Sequence, residues 1–296
     1  MALNLATFRT RALTALVFVA VIFTGLLWNQ WSFFILFSIV HFGCWIEFQK
    51  LLGRIYPVYA TINTFHKYGV IVAGWFFMMW CSGSSLAIGS LSLHAIGLWG
   101  GLICMFLLPV TELLFAGSIE LKNIGYSLLG LLYISLSWGL MMSLRTRGLI
   151  HLDRGQGDLD PGILIPIGLI CSIWINDTMA YIVGSLIGKT PFSKISPKKT
   201  WEGTAGGAIL CVVAIGIAGH YIAPFNIYAE VHWVVIASIA AVIGTAGDLL
   251  ESKLKRMADV KDSGSIMPGH GGFLDRFDSL LLATPFVWLY VILFMQ

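Results

Sequence analysis

The feature that most constrains this chain is the recurrence of apolar stretches close to 20 residues long with almost no charge inside them. A helix needs about 20 mostly apolar residues to cross the hydrocarbon core of a bilayer. Backbone that crosses must also satisfy its own hydrogen bonds, which a helix does internally. About nine such stretches can be placed, near residues 12–28, 31–48, 68–81, 93–110, 124–143, 162–187, 205–223, 233–247 and 279–295, the third being short. The expected fold is therefore all-α, a polytopic transmembrane helical bundle. It forms one integral membrane domain over 1–296, with a membrane-embedded half at 1–161 and a half at 162–296 that carries the polar loops.

Composition excludes a soluble domain: of 296 residues, 57% are hydrophobic and 11% charged, against roughly 25% charged in ordinary soluble domains. Arg9 and Arg11 ahead of the first stretch imitate a secretory signal, but no small-residue cleavage site follows and a second apolar run begins at Trp31, so the stretch reads as a retained span. The five cysteines are odd in number and lie in or beside apolar runs, which offers neither a disulfide framework nor a CxxC metal pattern. The 32 glycines suit helices that approach closely in lipid. Counting Lys and Arg in alternate loops gives 15 on one side and 3 on the other, or 6 against 3 without the two long polar loops. The positive-inside rule then puts the amino terminus and both polar loops in the cytoplasm.

Two constellations carry chemistry. In the first, Asn176 and Asp177 fall inside an apolar stretch, where a carboxylate is costly and by default faces a wet cavity or a partner. Downstream, Ser196-Pro-Lys198-Lys199-Thr200 sets two ammonium groups and two hydroxyls around a proline bend, which suits phosphate oxygens; topogenic anchoring is the plainer reading. In the second, Asp248, Glu251, Ser252 and Lys255 recur at i, i+3, i+4 and i+7, so a continuing helix would put them on one face. Asp275 and Asp278 share a face in the same way.

Acidic clusters beside Arg256, Lys261 and Arg276 in so charge-poor a chain call for a ligand bearing both metal and phosphate. Oxygen donors without cysteine or paired histidine favour Mg²⁺, held by Asp248, Glu251, Asp275 and Asp278. Gly271 and Gly272, with Pro268-Gly-His270 before them, would let backbone N–H groups approach an anion. His270 reads as a phosphate contact or loop stabiliser and not as a base, because a phosphomonoester with its second pKa near about 6 is already ionised. The other histidines, His41, His66, His94, His151, His220 and His232, are scattered and read as structural.

The run Ser252-Lys-Leu-Lys255-Arg256, then Lys261-Asp-Ser-Gly264, then Met267-Pro-Gly-His270-Gly-Gly-Phe-Leu-Asp275-Arg276-Phe-Asp278 resembles the signature of phosphatidate cytidylyltransferases. Trp174-x-x-Asp177-Thr-x-Ala-Tyr181 and Ser196-Pro-Lys-Lys-Thr-Trp-Glu-Gly203 resemble that family's other conserved region. The likeness covers Trp174 to Ser279, while the first 160 or so residues match only in hydropathy. Met267 replaces the usual Leu, Ile or Phe, and Met179 a small residue.

The resemblance implies an enzyme of phospholipid synthesis that makes CDP-diacylglycerol and pyrophosphate from CTP and phosphatidic acid. It also implies Mg²⁺, with room for a monovalent cation such as K⁺. Asp248, Asp275, Asp278 and Asp177 would be catalytic. Substrate would be bound by Asn176, Ser196, Lys198, Lys199, Thr200, Ser252, Lys255, Arg256, Lys261, His270 and Arg276. The expected setting is a bacterial plasma membrane, with lipid as partner, a homodimer as a candidate assembly and no nucleic acid. A CDP-alcohol phosphotransferase is the nearest rival enzyme, but its Asp-Gly-x-x-Ala-Arg string is absent. A transporter with topogenic loops accounts for the spans but not for the acidic pairs.

Overall fold

The computed structural model describes the backbone of residues 5–117, 119–147, 161–222, 230–265 and 271–295, with side chains from 16–117, 119–146, 162–221, 230–265 and 271–295. His151, Arg154, Met267 and His270 lie outside the described residues. The helices are α1 (Leu5–Leu27), α2 (Gln30–Ile55), α3 (Thr64–Trp80), α4 (Leu93–Phe115), α5 (Leu121–Gly130), α6 (Leu136–Arg147), α7 (Leu164–Ile187), α8 (Trp201–Ile222), α9 (Glu230–Met257) and α10 (Leu274–Phe294). A π-helical turn at Leu131–Ser135 joins α5 to α6, so the described residues form nine helical stretches, as hydropathy predicts. Among the described residues, the strands are a two-residue antiparallel pair, Ala87–Ile88 with Leu91–Ser92. Seven helical stretches are long and apolar enough to cross a membrane, and the chain is an integral membrane protein. The other two are α3, with 17 residues, and α1, whose described side chains cover Leu16–Leu27.

Several helices outrun the apolar stretches that announce them. The stretch at 233–247 becomes the 28-residue α9, about 42 Å at 1.5 Å per residue, against a hydrocarbon core of about 30 Å. Hydropathy ends where the lipid ends, whereas helical hydrogen bonding continues. The polar turns from Asp248 to Met257 are therefore helical, and the face shared by Asp248, Glu251, Ser252 and Lys255 exists.

Contacts divide the chain into two interleaved units, Met1–Trp138 with Leu254–Phe277, and Gly139–Lys253 with Asp278–Gln296. The segment 254–277 groups with the N-terminal helices, and the division falls inside α6. In the first unit, α2 starts at a reciprocal cap. The Asn29 side chain accepts from Ser32 N at 2.8 Å, and Ser32 Oγ accepts from Asn29 N at 3.0 Å, which satisfies donors a helix start leaves open. Phe33, Phe37, Trp138 and Phe277 form its aromatic core, with successive ring centroids 4.7, 4.9 and 5.5 Å apart. Several buried polar side chains of this unit pair internally. His41 and Trp45 both meet Ser135 Oγ, at 3.0 and 2.9 Å, and His66 lies between Glu112 and Ser127, at 3.0 and 2.8 Å.

In the second unit, α7 packs along α8 through small residues. A Cβ at Gly207 would come within 2.7 Å of the backbone N and the Cβ of Ala180, so the helices meet at backbone distance, as small-residue interfaces in lipid require. Gly207→Ala should destabilise the detergent-solubilised protein by about 1–3 kcal/mol, the usual cost of overpacking. Gly101→Ala in α4, where the added carbon meets nothing within 4 Å, should leave thermal unfolding unchanged or slightly raised. Equal midpoints for Gly207→Ala and wild type would contradict the α7–α8 contact.

Candidate active site

The first constellation folds into a compact turn between α7 and α8. Trp201 N donates to Thr190 O at 3.0 Å and Phe192 N to Lys199 O at 2.8 Å, while the Glu202 carboxylate accepts from the N–H groups of Lys189 and Thr190 and from the Thr190 hydroxyl. At the tip, Lys199 N donates to Ser196 O at 3.1 Å, a four-residue turn with proline at its second position, where a fixed φ is favoured. The sequence reading of a proline-bounded turn presenting Lys198 and Lys199 is what the backbone forms.

This turn borders a cleft of about 480 Å³ in the second unit, lined by Asn176, Asp177, Tyr181, Ser196, Lys198, Lys199, Thr200, Thr245 and Asp248. Asn176 is 3% exposed. Its Nδ2 stands 3.4 Å from Asp177 Oδ1, and its buried Oδ1 has no hydrogen-bond partner among the described residues. Asp177 thus lines a polar cleft, the arrangement expected of an acid inside an apolar span.

At one side of the cleft lies a group of three carboxylates. Asp248 and Glu251 of α9 and Asp278 of α10 each offer an oxygen, and these oxygens lie within 4.8 Å of one another. Gly247 makes the approach possible, because a Cβ there would stand 2.6 Å from Asp278 O. Glu251 is fully buried and Asp278 nearly so. Like charges this close disfavour joint ionisation unless a cation neutralises them. Lys199 supplies part of that charge through an ion pair between its Nζ and Asp248 Oδ2. Burial pushes the Lys199 ammonium below its ordinary pKa, against the opposing pull of the Asp177 and Asp278 carboxylates. Ser252 Oγ stands 3.5 Å from Asp248 Oδ1.

Asp275 departs from the expectation that it joins this group. Although it shares a helix face with Asp278, it belongs to the first unit, where its Oδ1 accepts from Lys255 Nζ at 2.6 Å. Its Oδ2 accepts from the backbone N–H groups of Gly272 and Ser263 at 2.7 and 2.8 Å. The physical reason is its place in the first turn of α10, where a side chain can reach back to the free N–H groups ahead of the helix. Lys255, expected at a phosphate, pairs with Asp275 in this structure. Arg256, Lys261 and Arg276 are exposed.

Sequence reasoning missed Glu47. This α2 residue is 6% exposed and accepts from Ser263 Oγ at 2.7 Å and from the Phe273 and Leu274 N–H groups at 2.9 Å. Its signal was the one used for Asp177, an acid in an apolar stretch.

Residues 9–294 match the Cytidylyltransferase family. A phosphatidate cytidylyltransferase of Bacillus subtilis is 36% identical over 200 residues, covering 65% of this chain and 67% of that protein. One of Synechocystis is 34% identical over 222 residues, covering 66% and 70%. One of Staphylococcus aureus is 43% identical over 116 residues, covering 38% and 43%. A match spanning nearly every helix, together with relatives aligned over two thirds of their length, places this chain in the cytidylyltransferase family.

Proposed function

We propose that this membrane enzyme transfers the cytidylyl group of CTP to phosphatidic acid, giving CDP-diacylglycerol and pyrophosphate. One observation carries the reading: the cleft lined by the Lys198–Lys199 turn is also lined by Asp177 and by Asp248, whose carboxylate groups with those of Glu251 and Asp278. Charges of both signs in one cleft are what a metal-bound polyphosphate needs. A lipid phosphate oxygen attacks the α-phosphorus, an O–P bond forms, the bond from that phosphorus to the β-phosphate oxygen breaks, and pyrophosphate leaves with the electron pair. Two anions must meet, so positioning and charge neutralisation supply most of the catalysis.

The donor set is all oxygen and clustered within reach of one ion, which fits Mg²⁺. Asp248, Glu251 and Asp278 would hold it, and it would supply positive charge to the phosphates. Lys198, exposed at the turn, and Lys199, half-buried and paired with Asp248, add cationic charge. Ser196 and Thr200 offer hydroxyl donors from the same turn. Asn176 and Asp177 form the part of the cleft that lies within α7.

Asp278→Asn and Glu251→Gln keep side-chain size while removing charge. Each should cost about 3 kcal/mol of transition-state stabilisation, or about a hundredfold in rate, measured as cytidylyl transfer by purified, folded variants across a Mg²⁺ titration. Combining the two should add little to either one. Wild-type rates with an unaltered metal dependence in both would overturn the assignment. We further propose that the cleft faces the cytoplasm of a bacterial cell, on the strength of the Lys and Arg distribution. A single cysteine at Ser196 in a cysteine-free background should react with impermeant thiol reagents only from the cytoplasmic side of oriented vesicles, and labelling from outside would reverse the orientation.

A further inference from the structure

Glu47 lies outside the motifs that mark this family in the sequence, yet the motif segment is built around it. Its carboxylate sits at the start of α10, accepting from the Phe273 and Leu274 N–H groups. There the helix leaves donors unsatisfied and its dipole favours negative charge. Two motif glycines make the room. A Cβ at Gly264 would stand 2.1 Å from Glu47 Oε1, and one at Gly272 would stand 2.3 Å from both carboxylate oxygens. Ser263 Oγ bridges Glu47 and Asp275, at 2.7 and 2.9 Å, and Asp275 in turn holds Lys255. Among the described residues the hydrogen-bond donors to Glu47 are neutral, a hydroxyl and two backbone N–H groups.

We propose that Glu47 is a positioning residue for the transfer reaction, acting by fixing the register of the α10 N-terminus and the 263–264 turn around one buried carboxylate. Leu274 and Asp278 occupy successive turns of a single helix, so the register held at Leu274 is the register in which Asp278 is presented. A fold anchor alone could be any apolar contact between α2 and α10. A buried acid is a costly anchor, and two glycines that tolerate no side chain are given over to accommodating it.

The role rests on the transfer reaction proposed above, and the test separates the two. Glu47→Gln should lower kcat at least tenfold with KM for CTP within about threefold of wild type. It should also weaken binding of Mn²⁺ alone, followed by electron paramagnetic resonance, at least threefold. Gly272→Ala, which pushes the same carboxylate aside, should reproduce both effects. The double variant Glu47→Ala with Gly272→Ala should be no worse than about twofold below Glu47→Ala, because the methyl then occupies vacated space. If Glu47→Gln does not fold, Ser263→Ala, which removes only the bridging hydroxyl, is read by the same two measurements with the same expected directions. Wild-type kcat and Mn²⁺ binding in the folded variants, with or without lowered thermal stability, would overturn the positioning role. A wild-type protein that transfers nothing, but whose Mn²⁺ binding weakens in Glu47→Gln, would sink the reaction and keep Glu47 as the residue that positions Asp278.

Discussion

The two acidic groups of this protein answer to one constraint: a carboxylate taken out of water must be neutralised or fully hydrogen-bonded. A chain with 15 acids among 296 residues buries several of them, and it does so in two ways. In the first unit, Glu47 and Asp275 are satisfied from within, by backbone N–H groups, one shared serine hydroxyl and Lys255. In the second, Asp248, Glu251 and Asp278 converge with oxygens within 4.8 Å of one another and with Lys199 paired to Asp248, an arrangement suited to receiving a hard cation. The same residue type is thus an internal anchor in one unit and, in the proposed reading, a ligand set in the other.

The glycines of the motif take their meaning from this division. A glycine-rich segment beside lysines invites the reading of a phosphate cradle. Gly264 and Gly272 admit the protein's own anion, the Glu47 carboxylate, at distances no Cβ would allow. Gly271 adopts φ of 81°, the left-handed region that glycine enters without steric cost, beside the Asp275 carboxylate. Gly247 works on the other acidic group by letting α9 close on the backbone of Asp278.

Much of this was legible in the sequence. Apolar stretches mark the helices because lipid demands them, and spacing alone put Asp248 and Glu251 on one face, since the helical period governs any continuing helix. Spacing could not separate Asp275 from Asp278. Two acids one turn apart look equivalent until tertiary contacts decide that one reaches back to Gly272 and the other meets Glu251. Glu47 was hidden for a related reason: at the end of the stretch near 31–48 an acid reads as the point where the span stops, whereas α2 continues to Ile55 and leaves it enclosed. The Lys255–Asp275 pair was hidden in the same way, because a charge is visible in sequence and its partner is not.

The central claim is that the two acidic groups are chemically distinct, one taking a cation and one holding the fold. Anomalous diffraction from the Mn²⁺-loaded protein tests it most directly. The account predicts an ion bonded to carboxylate oxygens of Asp248, Glu251 and Asp278, with Asp275 still paired to Lys255 and Ser263. An ion ligated by Asp275, with Lys255 displaced, would contradict it.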